Sequence, residues 1–136
     1  MVEFLFKPTN YDNPEWTSIF HMTIGGNGEN LVLGNRNPLF FNAPGRGLVV
    51  STSLNENTDD YTDLPAPTID QWTKIRMSQA IENGKTKVKV FINDERVLSA
   101  MNSKPTSFEN VKVYASDPWY PAQPGSIKNL SIKIKR

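Results

Sequence analysis

Cysteine is absent from the 136-residue chain, and histidine occurs only once, as His21. Without cysteine there are no disulfide bonds, no thiol chemistry and no thiolate metal sites. A single histidine excludes ordinary zinc sites built on several His or Cys ligands, and we interpret His21 as a buried or half-buried strand residue. A chain of this length buries roughly two thirds of its unfolded surface. We therefore expect one domain, residues 1–136, that folds without a metal or a disulfide.

An excess of charge of one sign is also lacking, because 15 basic residues stand against 14 acidic ones and the net charge is +1. That balance predicts no strong attraction to nucleic acid or to anionic lipid. The apolar run at residues 2–6 is too short for a membrane span or a signal peptide, so we expect no membrane insertion. An intracellular protein and a secreted protein whose leader has been removed both stay open.

What is present is an alternation of apolar and polar residues, interrupted at short intervals by Gly, Pro and Asn, with no helical period. Asn83-Gly84 and Asn93-Asp94 mark hairpin turns, residues 55–68 are expected to form the longest loop, and Val88, Val90 and Ile92 should face inwards. The pattern predicts strands at 2–7, 16–24, 31–33, 39–41, 48–54, 72–81, 87–92, 96–100, 108–115 and 127–134. Sheets with one buried face need a second layer, so the fold class is predicted to be all-β, a two-sheet antiparallel sandwich or jelly roll.

The central hairpin, with Trp72 before one strand and turns at 82–84 and 93–94, resembles the paired strands of laminin-G, pentraxin and galectin domains. These are concanavalin-A-like jelly rolls in which a buried aromatic residue opens one strand. Segments 18–25, 34–36, 111–120 and 124–130 resemble, more narrowly, the laminin-G-like modules of extracellular proteins of cnidarians, molluscs and fish. The resemblance implies a buried Trp72, a role in adhesion or carbohydrate recognition, and an extracellular or secreted location, with a cytoplasmic one still open.

The loop 116–125 contains Asp117, Trp119 and Tyr120 together with three prolines. Prolines restrict the loop backbone, so the aromatic rings and the carboxylate can be held ready for a ligand at a low entropic cost. Aromatic faces stack on the apolar face of a sugar, while a carboxylate accepts hydrogen bonds from its hydroxyl groups. The alternative is that Trp119 folds back as a lid over the end of the sandwich.

Two further groups are candidate binding residues. Asn35 and Arg36 follow Gly34 at a strand end, where the planar guanidinium suits sugar hydroxyls or a carboxylate, or else an internal ion pair. Asp59 and Asp60 lie in a loop rich in carboxylate and amide oxygens, the ligands that calcium prefers. The alternative for this second group is an ordinary charged surface loop.

No catalytic constellation is evident in the sequence. The acidic residues outside the loops lie on separate segments, whereas a glycosidase needs two carboxylates facing each other across its substrate. Neither a Gly-x-Ser-x-Gly elbow nor a phosphate-binding loop occurs.

The sequence therefore predicts a non-enzymatic, lectin-like domain that binds glycans through rim loops or a sheet face, with calcium as its only candidate cofactor. Single sugars would bind weakly, so a homodimer or repetition would supply avidity. The alternative is a structural adhesion module that contacts proteins and has no sugar site.

Overall fold

The computed structural model describes residues 1–24, 38–52, 60–105, 108–116 and 120–133, with the backbone alone at positions 39, 60 and 61. In this part of the chain ten β-strands form two antiparallel sheets of five strands each. The strands are β1 (Val2–Pro8), β2 (Thr17–Thr23), β3 (Leu39–Ala43), β4 (Gly47–Thr52), β5 (Asp60–Leu64), β6 (Thr73–Glu82), β7 (Lys85–Ile92), β8 (Glu95–Met101), β9 (Lys112–Tyr114) and β10 (Gly125–Ile132). The predicted all-β class with two antiparallel sheets, as a sandwich requires, is confirmed. The described residues contain no helix of the length and apolarity that crossing a membrane demands.

The first compact unit comprises residues 1–10, 67–103 and 124–136, and it contains the first sheet, in the order β10-β1-β6-β7-β8. One face of this sheet carries the buried apolar side chains Phe4, Phe6, Ile75, Val88 and Val90, whereas Gln79 and Ile81 on the same face are exposed. The inward orientation predicted for the strand of Val88 and Val90 is therefore confirmed. The alternate positions of the same strands form the other face, on which no residue is fully buried.

The two predicted hairpin turns connect β6 to β7 and β7 to β8. Asn83 and Gly84 have φ angles of 51° and 74°, and Asn93 and Asp94 have φ angles of 50° and 67°. Two successive residues in the left-handed region form the turn whose twist matches that of antiparallel strands. Asn, Asp and Gly are the residues that adopt this conformation most readily, which explains why the sequence signal was reliable here.

The second compact unit comprises residues 11–66 and 104–123, and it contains the second sheet, in the order β5-β4-β3-β2-β9. Its buried apolar side chains include Phe20, Phe40, Leu48 and Val50. His21 lies in the middle of β2 and is 1% exposed, so its predicted burial is confirmed.

Two predicted boundaries are wrong. The expected loop 55–68 contains β5, which pairs along its whole length with β4 and buries Leu64 between exposed neighbours. The expected strand 108–115 is reduced to β9, because Asn110 has a φ of 55° and interrupts the extended backbone just before it. The predicted strand 31–33 lies outside the described residues.

Candidate functional site

Of the residues predicted to bind ligand or metal, Tyr120 is the one whose side chain the structure describes. Asp60 is described through its backbone alone, as the first residue of β5. The remaining predicted site residues lie outside the described part of the chain: Asn35, Arg36, Asp59, Asp117 and Trp119.

Tyr120 belongs to an aromatic cluster with Trp16 and Phe41 in the second unit. The Trp16 and Phe41 rings are stacked with centroids 4.9 Å apart, and the Tyr120 ring is tilted against them at 5.6 Å and 6.0 Å. Phe41 is fully buried, whereas Trp16 and Tyr120 are half-buried. The backbone after Tyr120 is held to β2, since the amide of Ser18 donates to the carbonyl of Pro121 and the amide of Gln123 donates to the carbonyl of Ser18. Tyr120 therefore packs against the buried Phe41 on this sheet.

The exposed edge of the aromatic cluster is closed by an ion pair. The Arg46 side chain donates to both carboxylate oxygens of Asp63, with a shortest N–O distance of 2.6 Å, and its guanidinium lies 5.3 Å from the centre of the Trp16 ring. The turn before β4 directs Arg46 to this position, with Gly45 and Gly47 at positive φ on either side. Because the Trp16 ring is engaged by protein groups, we interpret the cluster as packing rather than as an open platform for a sugar.

No group of three or more His, Asp or Glu side chains suitable for holding a metal ion occurs among residues 1–24, 38–52, 60–105, 108–116 and 120–133. Asp59 is outside these ranges and the Asp60 side chain is not described. The calcium site therefore stays a prediction.

The exposed face of the first sheet is strongly basic. The pairing register places Glu3, Arg76, Phe91 and Arg96 in one row across four strands, and the rows on either side continue the same face. Two acidic side chains lie on this face, Glu3 and Glu82. We call the surface the basic face, after its eight cations: Lys7, Lys74, Arg76, Lys85, Lys87, Lys89, Arg96 and Lys128.

The near-neutral net charge conceals a segregation of charge between the two units. The first unit contains 11 Lys and Arg against 5 Asp and Glu, a net charge of +6. The second contains 4 against 9, a net charge of −5. An acidic ligand that approaches the first sheet therefore meets a field that the total of +1 does not reveal.

Trp72 lies at one end of the basic face and is 36% exposed, so the burial implied by the resemblance is wrong. The physical reason is the alternation of the strand: Thr73 pairs with Phe6 on the buried face, and Trp72, one residue earlier, points the other way. A turn precedes it, in which Asp70 has a φ of 59° and donates its amide to the carbonyl of Pro8. This contact holds Trp72 beside the end of β1.

Two lysine ammonium groups lie over the Trp72 ring. Lys128 Nζ is 4.0 Å from the ring centre and Lys7 Nζ is 5.1 Å from it. A similar contact occurs farther along the face, where the Arg76 guanidinium lies 4.3 Å from the centre of the Phe91 ring. In the described part of the chain none of these three cations forms an ion pair with a carboxylate.

Other cations of the basic face are paired with Asp94, in the turn between β7 and β8, or with Glu82, the last residue of β6. Lys74 Nζ lies 2.7 Å from a carboxylate oxygen of Asp94. Glu82 contacts two lysines, with Oε1 2.5 Å from Lys89 Nζ and Oε2 3.8 Å from Lys87 Nζ. The hydrogen bond from Lys89 lowers the pKa of Glu82, and the hydrogen bond from Lys74 lowers that of Asp94. Both acids thus remain charged at neutral pH.

The residues of the basic face were not among the site residues predicted from the sequence. The alternation of Lys85, Lys87 and Lys89 with other residues was readable, but an alternating strand of this kind is usually just solvated. Comparisons with protein-family models, with curated proteins and with solved structures found no match to this chain. The resemblance to laminin-G-like modules therefore stays a prediction.

Proposed function

We propose that this protein is a non-enzymatic glycan-binding domain that holds an acidic polysaccharide chain on the basic face. The observation that supports it best is the placement of eight cations and only two acids on one open sheet face. An open sheet face suits an extended chain better than a small molecule, which binds preferentially in a concave pocket.

The dimensions of the basic face favour a linear ligand. From Lys7, level with Trp72, to Lys85, opposite Glu82, the face extends over ten residue positions along β6, which is about 30 Å at the usual rise of a strand. Four serine side chains lie among the cations on the same rows and can exchange hydrogen bonds with sugar hydroxyls: Ser78, Ser99, Ser126 and Ser131. A polysaccharide with sulfate or carboxylate groups offers both kinds of partner.

Nucleic acid is less well suited to this surface. Proteins that bind single strands stack bases on free aromatic rings, and here Phe91 lies beneath Arg76 and Trp72 beneath two lysines. Reading a duplex requires an element that enters a groove, which the broad face of a five-stranded sheet does not provide. An anionic glycan requires neither feature.

The acidic residues of the basic face do not form a glycosidase pair. Glu3 pairs across the strands with Arg76, and Glu82 lies six positions farther along β6, about 20 Å away. Paired glycosidase carboxylates are separated by roughly 5–9.5 Å. The face can therefore bind a glycan but does not place two carboxylates around one glycosidic bond.

The proposal is tested by binding to one polysaccharide in two forms, dextran sulfate and uncharged dextran, measured by calorimetry at low salt. We expect the protein to bind the sulfated form and not the neutral form, and we expect its affinity to fall as the salt concentration is raised. Arg76→Gln should weaken binding, whereas Lys112→Gln, which removes one cation from exposed β9 in the second unit, should leave it within about twofold.

Three results would contradict the proposal. Equal affinity for both dextrans would show that charge plays no part in binding. Failure to bind both dextran sulfate and a carboxylated polysaccharide would exclude an acidic glycan as the ligand. Binding to an acidic polypeptide such as polyglutamate, but to no polysaccharide, would favour the adhesion module instead.

A further inference from the structure

We infer that Lys7, Lys128 and Trp72 form the anchor subsite, the place on the basic face where a sulfate or carboxylate group of the glycan binds most tightly. This inference rests on the proposed function and deepens it, because it assigns the strongest contact to one end of a surface that carries cations along its whole length. The anionic group would bind between the two ammonium groups, with the sugar ring against the exposed edge of the indole.

The sheet brings the two lysines together from opposite ends of the sequence. Lys7 pairs with Ser126 and Lys128 pairs with Leu5, so the two side chains are diagonal neighbours on adjacent strands. Gly125 permits this close approach, because a Cβ atom there would lie 2.5 Å from the carbonyl oxygen of Lys7. The indole of Trp72 then receives both ammonium groups on the same ring system.

This arrangement gathers positive charge without neutralising it. Two ammonium groups near one ring repel each other, and an anion placed between them relieves that repulsion. Contact with the indole also restricts the two flexible side chains before the ligand arrives, so less entropy is lost on binding than for free lysines. Among the described residues, no carboxylate forms an ion pair with either lysine.

The opposite end of the basic face differs in this respect. Glu82 places one oxygen against Lys89 and the other against Lys87, as a ligand carboxylate would. An anion that binds to these lysines must displace Glu82 or lie beside its negative charge. The pairs Lys7/Lys128 and Lys87/Lys89 thus have the same charge, but among the described residues only the second pair contacts a carboxylate.

The two pairs allow a matched experiment. Lys7→Gln/Lys128→Gln and Lys87→Gln/Lys89→Gln remove the same charge from the same face, and dextran sulfate is the probe for both. We expect the first double variant to lose affinity about tenfold or more and the second to lose less than about threefold. Glu82→Gln should raise affinity severalfold by releasing Lys87 and Lys89, whereas Glu95→Gln, an exposed acid outside the basic face, should change it little.

Equal losses in the two double variants would overturn the anchor subsite while leaving the proposed function intact, since binding would then depend on total charge alone. If the unmodified protein did not bind dextran sulfate, both the proposed function and the anchor subsite would be contradicted. Circular dichroism and urea unfolding establish that each variant folds. Should the first double variant not fold, Lys128→Gln alone takes its place, because Lys128 is exposed; a loss no greater than that of Lys87→Gln would again overturn the inference.

Discussion

The close approach of β10 to β1 at Gly125 should determine the stability of the first sheet. Replacing Gly125 with alanine would place a Cβ atom 2.5 Å from the Lys7 carbonyl oxygen, 3.0 Å from the Phe6 ring and 3.1 Å from the Pro8 Cα. Two of these three neighbours are backbone atoms of a paired strand and cannot rotate away, so the strands have to separate. Overpacking of this kind costs about 1–3 kcal/mol.

For a chain of this size, each 1 kcal/mol lowers Tm by about 4 °C, so Gly125→Ala should lower Tm by about 4–12 °C. Urea unfolding followed by circular dichroism gives the free energy directly. Ser126→Ala is the matched control, because Ser126 is exposed on the adjacent position of β10 and should change stability by less than about 0.5 kcal/mol. A Gly125→Ala protein as stable as this control would refute the reasoning, because it would mean that β10 does not lie against β1 as described.

Three further perturbations have expected outcomes. Gly84→Ala should cost about 1 kcal/mol in urea unfolding, because φ is 74° but no atom lies within 4 Å of the added Cβ; a cost above about 3 kcal/mol would indicate a steric clash instead. Phe41→Ala should cost about 3–5 kcal/mol, because its ring is fully buried beneath Trp16, and a cost below about 1 kcal/mol would contradict that packing. Acidification should destabilise the fold, because lysine contacts lower the pKa values of Glu82 and Asp94. The two acids contribute their full stabilisation at pH values above their ordinary pKa values of 4.5 and 3.8, and they lose it as the pH falls through their lowered pKa values in the folded protein. A Glu82→Gln/Asp94→Asn variant should lose less stability between pH 5 and pH 2, and an identical loss would contradict the assignment.

Strands and turns were predictable where local chemistry determined them. Val88 and Val90 alternate with lysines over several positions, and Asn83-Gly84 can adopt the left-handed turn without strain. β5 was not predictable, because its residues are mostly Asp and Thr and a single one, Leu64, is known to be buried. Such a strand forms because β4 offers it a complete ladder of backbone partners, and that information is not in the segment itself.

The orientation of Trp72 illustrates how strand alternation determines which side chains form a surface. Side chains alternate between the faces of a strand, so Trp72 lies on the side of Lys74 and Arg76, whichever residue opens the strand. The sequence predicted a strand beginning at Trp72, whereas β6 begins at Thr73, whose side chain is buried. The alternation of Ile75 and Met77 therefore indicated an outward Trp72, and the buried orientation came from the resemblance alone.

The net charge of the chain was the least informative quantity for function. At physiological ionic strength, charges more than about 8 Å from a bound anion are largely screened, so a ligand on the basic face responds to the residues of that face and not to the total. The acids that matter for it are those on or beside the face, Glu3, Glu82 and Asp94, and the last two are already engaged by lysines of the face. A polyanion should therefore bind more strongly than a net charge of +1 suggests, and its position along the face should be determined by which lysines these acids leave unopposed.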